Sequence, residues 1–190
     1  MTLDDICLLA ARYTGTYDDL EKTEGAYAGD ALILFDTYKD EVNRAYMTVM
    51  KRYFPPQYSE DIVLDSDLKY TLSSLAKTIN YPLFALDSSD VSYDMKIMDL
   101  RAELYLASGT SGATYTLTYT YIPDELSALL DVPLMTQIDA KIYAYYAASM
   151  YFAVRRKYDP RSLFWQHKWD EALSELKDES VGAVQVEESW

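Results

Sequence analysis

Apolar side chains recur at helical spacing near both ends of the chain. In the first such segment Ile6, Leu9 and Tyr13 fall on one face, Thr2 is placed to cap the helix, and acidic residues follow in its first turn. The later segments are bounded by prolines or by turn-forming residues. This pattern predicts four helices, which cover residues 2–14, 30–53, 135–157 and 161–177.

The middle of the chain has the shorter, alternating pattern of strands. Thr114–Tyr121 alternates large and small side chains, and the glycine-containing turn Ser108–Gly112 precedes it. We therefore expect a β-hairpin that pairs this strand with Leu104–Leu106. Asp61–Leu64 is predicted as a further strand.

Three other segments of the middle third are less clearly patterned. Lys77–Leu86 contains Pro82, so it would be an edge strand if it is one. Tyr70–Leu75 suits a strand or a turn of helix, and Lys96–Leu106 has the composition of a strand, although Met95–Leu104 also suits a short helix. Residues 16–29 are rich in glycine and acidic side chains and are expected to form a loop.

Together these elements predict an α+β fold with a single domain over residues 1–177. Its two N-terminal helices and its C-terminal helical hairpin would form a helical bundle, into which an antiparallel β-rich region of residues 58–122 is inserted. Residues 178–190 are predicted as an extended C-terminal arm, with a frayed terminus as the alternative.

The charge balance narrows the classes of partner. The 190 residues include 31 acidic and 17 basic side chains, which gives a net charge of -14. Affinity for nucleic acid depends on neutralising phosphates, so the overall field of this chain has the wrong sign for DNA binding. The N-terminus lacks the basic start and apolar run of a signal peptide, and no uncharged apolar run reaches the length of about 20 residues that spans a bilayer. We expect a protein made in a cytoplasm, with no membrane contact.

Residue types that carry chemistry are sparse. The single cysteine, Cys7, lies on the apolar face of the first helix, and the single histidine, His167, lies between two tryptophans and suits a surface or interface better than a catalytic base. Asp65–Asp67 and Asp87–Asp90 resemble calcium-loop fragments but lack the glycine and glutamate of that loop, which favours solvated turns. In so acidic a chain, a pair of carboxylates that hydrolyses glycosides remains an alternative. We predict no enzyme, no cofactor and no metal site.

Aromatic side chains indicate assembly. The chain has 19 tyrosines, and tyrosine suits both core margins and interfaces. The third predicted helix is apolar on nearly every side, which is typical of a helix covered on more than one face and so of an oligomer. The candidate partner-interface residues are the tryptophans of the last helix and the apolar residues of the arm: Trp165, Trp169, Val184, Val186 and Trp190.

The order of the elements resembles the head-to-tail adaptor proteins of tailed bacteriophages, also called connector or head completion proteins. The first helix reads Leu-Asp-Asp-Ile-Cys-Leu-Leu-Ala-Ala-Arg-Tyr, and the second contains Asp-Glu-Val-Asn-Arg-Ala-Tyr. After the β-rich region come Leu-Thr-Tyr-Thr-Tyr-Ile-Pro-Asp-Glu-Leu and Asp-Val-Pro. The hairpin reads Ile-Asp-Ala-Lys-Ile-Tyr-Ala-Tyr-Tyr-Ala-Ala and then Trp-Asp-Glu-Ala-Leu-Ser-Glu-Leu. The resemblance covers most of the chain, and the order of the motifs carries more weight than any one of them.

The resemblance implies a structural protein of the virion neck. It would form a ring, dodecameric in this family, between the portal protein and the next tail component, and DNA would pass through the ring without specific binding. The negative charge fits such a channel, since like charge keeps DNA from sticking. The C-terminal arm, including Trp190, is expected to contact the portal.

Two other classes of function remain as alternatives. The first is a small, acidic, soluble binding or regulatory protein that engages a basic protein partner. The second is an acid-dependent hydrolase, although the sequence contains no recognisable arrangement of catalytic residues for it.

Overall fold

The computed structural model describes residues 1–98, 102–135, 138–155 and 159–183, the last seven of these by their backbone alone. Over these residues the fold is mixed α+β, with four α-helices and antiparallel sheets. The helices are α1 (Leu3–Thr14), α2 (Gly29–Arg52), α3 (Lys141–Arg155) and α4 (Pro160–Ala183). The strands are β1 (Lys22–Thr23), β2 (Ala26–Tyr27), β3 (Gln57–Val63), β4 (Lys69–Thr71), β5 (Ile79–Leu86), β6 (Ser92–Tyr93), β7 (Met95–Met98), β8 (Glu103–Leu106) and β9 (Thr114–Tyr121).

The chain divides into two compact units. Residues 1–49 and 124–190 form the first, which we call the helical unit, and residues 50–123 form the second, the β-rich unit. In sequence the β-rich unit lies between the two segments of the helical unit, and the division falls inside α2 and just after Pro123.

Helix α1 begins where the sequence predicts. Thr2 accepts the backbone N–H of Asp5 through its hydroxyl at 3.2 Å, while the Asp5 carboxylate accepts the N–H of Thr2 at 2.9 Å. This capping box satisfies two N–H groups that the helix itself leaves unpaired. Gly15 ends the helix in the left-handed conformation, with φ 74°.

The core of the helical unit forms where α1 packs against α3 and α3 packs against α4. Ala10 and Ala11 of α1 and Ala147 and Ala148 of α3 are fully buried, and such short side chains let helices approach closely. The hydroxyl of buried Tyr38 in α2 contacts those of Thr14 and Thr16, which ties α2 to the end of α1.

Residues 16–29 contain more structure than the predicted loop. They include a turn of 3-10 helix, Tyr17–Asp19, and the two-stranded hairpin β1–β2. Asp4 of α1 holds this hairpin, because its carboxylate accepts Lys22 Nζ at 2.6 Å and the Tyr27 hydroxyl at 2.7 Å.

In the β-rich unit, two antiparallel sheets share one hydrophobic cluster. One sheet has the strand order β3-β9-β5-β6 and the other β4-β8-β7. Strand β9 alternates as predicted over its first four residues: Tyr115 and Leu117 are buried in the cluster, while Thr114 and Thr116 are exposed. Beyond them the alternation is lost, because Thr118 and Thr120 are buried as well as Tyr119. Leu104 and Leu106 of β8 contribute to the same cluster from the other sheet.

The predicted hairpin between Leu104–Leu106 and Thr114–Tyr121 is wrong. Strand β8 pairs with β4 and β7, whereas β9 pairs with β3 and β5. All seven residues of β3 find a partner in β9, a longer ladder than the four residues of β8 could supply. Ser108 and Gly112, both with positive φ, redirect the chain from one sheet to the other.

The neighbouring segments also differ from expectation. Met95–Met98 and Glu103–Leu106 are two paired strands instead of one strand or a short helix. Lys69–Ser74 is a strand followed by a turn of 3-10 helix, so both alternatives for that segment hold in part. Strand β5 lies between β9 and β6, but β6 pairs only with Ala85 and Leu86, so at Pro82 the ladder of the described residues has a partner on one side alone.

Two helix boundaries in the hairpin need correction. The third helix begins at Lys141, not at residue 135, because the Asp139 carboxylate accepts the N–H of Lys141 at 3.0 Å and caps the helix there. Asp159 does the same for Arg161 at 3.0 Å, and Pro160 is the first residue of α4, where a missing N–H costs nothing. The predicted end of the third helix, residue 157, lies outside the described residues.

Helix α4 also runs further than predicted. It continues past residue 177 to Ala183, so residues 178–183 are helical and do not belong to an extended arm. No proline interrupts this segment, and its one glycine, Gly182, falls in the last turn, where it is tolerated.

Candidate partner interface

Trp165 lies at the centre of an aromatic stack that joins three helices. Its ring is 4.4 Å from that of Tyr13 in α1 and 5.8 Å from that of Tyr145 in α3, centroid to centroid, and the planes are nearly parallel. Burial, reinforced by Tyr145, raises the pKa of Tyr13 to about 12, so the hydroxyl stays neutral. Trp165 is half-buried, and the rest of its surface remains open to a partner.

Trp169, the second tryptophan predicted for a partner, is a core residue of this chain. It is 4% exposed and packs against Tyr146 with ring centroids 5.1 Å apart. Such an indole stabilises the hairpin from within and offers no surface. The other predicted interface residues, Val184, Val186 and Trp190, lie outside the described residues.

The outer face of α4 exposes apolar side chains close to Trp165. Leu163 is 74% exposed and Phe164 is 53% exposed, and His167 follows one turn later, also exposed. Asp159 fixes the start of this helix through a two-point contact with Arg161, whose guanidinium lies 4.3 Å from the centroid of the Phe152 ring. The apolar face therefore sits on a firmly held helix terminus.

A second apolar surface occurs on the segment of residues 126–134, which we call the anchored loop. Buried Asn43 of α2 binds Leu126, the first residue of this loop, through two hydrogen bonds. Its side-chain amide donates to the Leu126 carbonyl at 2.9 Å, and its side-chain oxygen accepts the Leu126 N–H at 2.8 Å. The N–H groups of Leu3 and Asp4, which begin α1, donate to the Asp131 and Leu129 carbonyls at 2.7 and 3.0 Å. These bonds satisfy helix-terminal donors and fix the loop in place.

Asp131 holds the anchored loop in a tight turn. Its carboxylate accepts the backbone N–H groups of Ser127 and Ala128 at 2.7 and 2.8 Å. The loop nevertheless displays apolar side chains to solvent: Leu130 is 79% exposed, Leu134 51% and Val132 48%. A rigid backbone that presents three exposed apolar residues is typical of a surface that another protein covers.

From the turn at Asp131 we predict that the stability of the anchored loop depends on pH. The backbone N–H groups of Ala128 and then Ser127 hold the pKa of the Asp131 carboxyl below its ordinary value. Since the folded-state pKa is depressed, its stabilising effect is complete above the unfolded value of about 3.9 and is lost as the pH falls through the lower folded value. A carboxyl titration of Asp131 by NMR should therefore have its midpoint below about 3.9, with faster amide exchange at Ala128 below it.

Asp131→Asn is the matched control for that titration. Its side-chain carbonyl can still accept the two N–H groups but cannot titrate, so the exchange rate at Ala128 should lose this step in its pH dependence. A midpoint at or above the ordinary aspartate value in the native chain would contradict the turn.

The acidic clusters behave as turns. Asp65 accepts the N–H groups of Asp67 and Lys69, both at 2.8 Å, and Asp87 accepts those of Ser89 and Val91 at 2.8 and 3.1 Å. These are the local bonds that aspartate makes in turns. Across the part of the chain that the structure describes, no group of histidine, cysteine or acidic residues is arranged to hold a metal ion.

The anchored loop was not singled out from the sequence. The available signal was the occurrence of apolar residues, Leu130, Val132 and Leu134, in a segment without helical or strand periodicity.

Scans against models of known protein families and against curated protein sequences find no match to this chain. Among the described residues, no helix combines the length and apolar character that crossing a membrane requires.

Proposed function

We propose that the chain is a head-to-tail adaptor of a tailed bacteriophage. In this proposal the helical unit is a bundle with the β-rich unit inserted, and the chain forms a dodecameric ring in the virion neck. The ring joins the portal to the next tail component and continues the DNA channel. The chain acts as a structural protein and performs no reaction.

The observation that carries the proposal is the anchored loop. Leu130 is 79% exposed although hydrogen bonds from Asn43, from the start of α1 and within the Asp131 turn fix the backbone that bears it. A preorganised apolar surface loses little conformational entropy when a partner covers it, which favours a permanent protein contact. Such a surface is expected of a subunit that works only in an assembly.

Two further features suit a neck ring. The net charge of -14 per copy, repeated around a ring, would give an electronegative channel through which DNA slides. The aromatic stack of Tyr13, Tyr145 and Trp165 ties α1, α3 and α4 together, and a rigid subunit transmits load between head and tail without yielding.

One observation favours the alternative of a small acidic binding protein. Asp18, Asp19, Glu21 and Glu24 are all exposed on the segment after α1, where a basic protein partner could approach. An adaptor is needed to attach the tail to the head, whereas a binding or regulatory protein is not. An experiment in the phage therefore distinguishes the two functions.

The proposal is tested by interrupting the reading frame in the phage whose genome encodes the chain. The adaptor function predicts filled or partly filled heads without tails, seen by electron microscopy of the lysate, and restoration by the chain supplied from a plasmid. Tailed, infectious particles of normal yield would contradict the adaptor function and favour a binding or regulatory role.

Residues 184–190 provide a narrower prediction. If they include the portal-binding arm, a chain truncated after Ala183 keeps all of α4 and should bind the purified portal protein at least tenfold more weakly, because two valines and a tryptophan are lost. Binding can be measured by co-sedimentation, with Trp190→Ala as the minimal variant. Full portal binding by the truncated chain would show that the contact lies elsewhere.

A further inference from the structure

The basic residues of this acidic chain concentrate around the connection between α3 and α4. Between residues 155 and 168 the sequence has five basic side chains and one acidic side chain, against a net charge of -14 for the whole. Of the described residues there, Arg155 is exposed at the end of α3, beside Val154, which is 71% exposed. Leu163 and Phe164, 74% and 53% exposed, follow in the first turns of α4. We call these four residues, Val154, Arg155, Leu163 and Phe164, the bend surface.

The anchored loop has the opposite charge. Between residues 102 and 140 the sequence contains five acidic side chains and no basic one. Asp124 and Glu125 are exposed just before the loop, and Asp139 is exposed just after it. Several of these charges are paired within the chain: Arg161 with Asp159, Lys168 with Glu171, and Asp139 with Lys141. Among the described residues, the complementary charges are therefore Arg155 at the bend and Asp124 and Glu125 at the loop. Loop and bend surface both expose apolar residues.

The two surfaces adjoin opposite ends of α1. The first turn of α1 donates hydrogen bonds to the anchored loop through Leu3 and Asp4. The last turn meets the bend, because Tyr13 stacks on Trp165, the neighbour of Phe164. The whole of α1, Leu3–Thr14, separates the two ends, and from Leu3 to Tyr13 the distance is about 15 Å along the axis.

A second contact places the end of α3 at the same end of α1. Tyr151 stacks on Tyr38 with centroids 5.6 Å apart, and the hydroxyl of Tyr38 bonds to Thr14, the last residue of α1. Val154 is one helical turn beyond Tyr151. A single copy therefore holds its loop and its bend surface apart, and only a second copy can bring one against the other.

We propose that the anchored loop of one copy docks onto the bend surface of the next copy, and that this head-to-tail contact builds the ring. The contact uses two different surfaces, so it is heterologous, and repeated it closes into a ring when the rotation per copy allows closure. The apolar residues exclude water at its centre, while the flanking charges of opposite sign offset the repulsion between two chains of the same net charge. Ring closure rests on the proposed function; the pairing of the two surfaces does not.

The pairing is tested by disulfide trapping with the full-length chain. Leu130→Cys and Phe164→Cys are made as separate variants, and the one native cysteine, Cys7, is fully buried and does not compete. Mixed in equal amounts under mild oxidation at low salt, the two should form a mixed dimer on the order of tenfold faster than Val91→Cys mixed with Phe164→Cys. Val91 is the matched control because it is 51% exposed in the β-rich unit.

The double variant Leu130→Cys with Phe164→Cys should give a ladder of dimers, trimers and longer species, since each copy then carries both halves of the contact. High salt should reduce the rate, because the steering charges are screened. The inference is overturned if the mixed pair cross-links no faster than the control, or if Leu130→Cys alone forms dimers faster than the mixture. A ring at the portal without this cross-link would refute the proposed contact and leave the adaptor function supported. The cross-link without a ring at the portal would support the contact and contradict the adaptor function.

Discussion

Replacement of Trp169 by alanine is expected to destabilise the helical unit by about 3–5 kcal/mol, because a buried indole is removed and a cavity remains. The ring is 4% exposed and packs on Tyr146. With a urea dependence of about 2 kcal/mol per molar, the unfolding midpoint followed by helical circular dichroism should fall by roughly 2 M.

Leu163→Ala is the matched control on the same helix. Leu163 is 74% exposed, so its truncation should change the stability of the isolated chain by less than about 0.5 kcal/mol. The pair of variants separates a residue that holds the hairpin together from one that is open to a partner. Equal unfolding midpoints for the two variants would contradict the structural role assigned to Trp169.

Replacement of Leu130 by aspartate is expected to abolish ring formation on the portal while leaving the fold intact. Leu130 is 79% exposed, so the isolated chain should keep its stability within about 0.5 kcal/mol. At the apolar centre of the proposed contact the new carboxylate would lose its hydration against Leu163 and Phe164 of the neighbouring copy, and an apolar contact would be lost. We expect each contact to weaken by about 2 kcal/mol or more, which is roughly thirtyfold, and a ring multiplies that loss.

The measurement is co-sedimentation of the variant with the purified portal protein, combined with urea unfolding of the variant alone. Val91→Asp is the control, since it places the same charge on an exposed apolar position of the β-rich unit. Rings of normal occupancy with Leu130→Asp would show that the anchored loop takes no part in assembly.

Local sequence signals sufficed where the determinants of structure are themselves local. The cap at Thr2 and the alternation in the first half of β9 were both predictable, because capping depends on residues three apart and a half-buried strand buries every second side chain. The burial of Thr118 and Thr120 depends on distant residues and was not predictable. The helix start at Lys141 was missed although its determinant, the carboxylate of Asp139, is only two residues away. The apolar residues from position 135 onwards led to a predicted start that was too early, so Asp139 was not predicted as the cap.

Strand pairing and burial could not be predicted because they depend on distant partners. Strand β9 pairs with the distant β3, in which Ser59 lies 59 positions before its partner Thr118, whereas the adjacent β8 joins another sheet. Trp165 and Trp169 are one turn apart on α4, and the pattern of α4 alone does not reveal that the second packs on Tyr146 and is buried.

The candidate interface was predictable only in part. The prediction named the tryptophans of α4, of which Trp169 is buried, whereas the apolar residues most exposed on that helix are Leu163 and Phe164. The anchored loop owes its rigidity to Asn43, a residue 83 positions from Leu126 in sequence. No local pattern reveals that an apolar loop is held so firmly.

The central claim, that the chain forms a ring on the portal, is tested most directly by electron microscopy of the chain mixed with the portal protein encoded in the same genome. The account predicts a ring of added density on the portal that continues its channel, with one copy of the chain for each portal subunit. Portals that remain bare at saturating concentrations of the chain would contradict it.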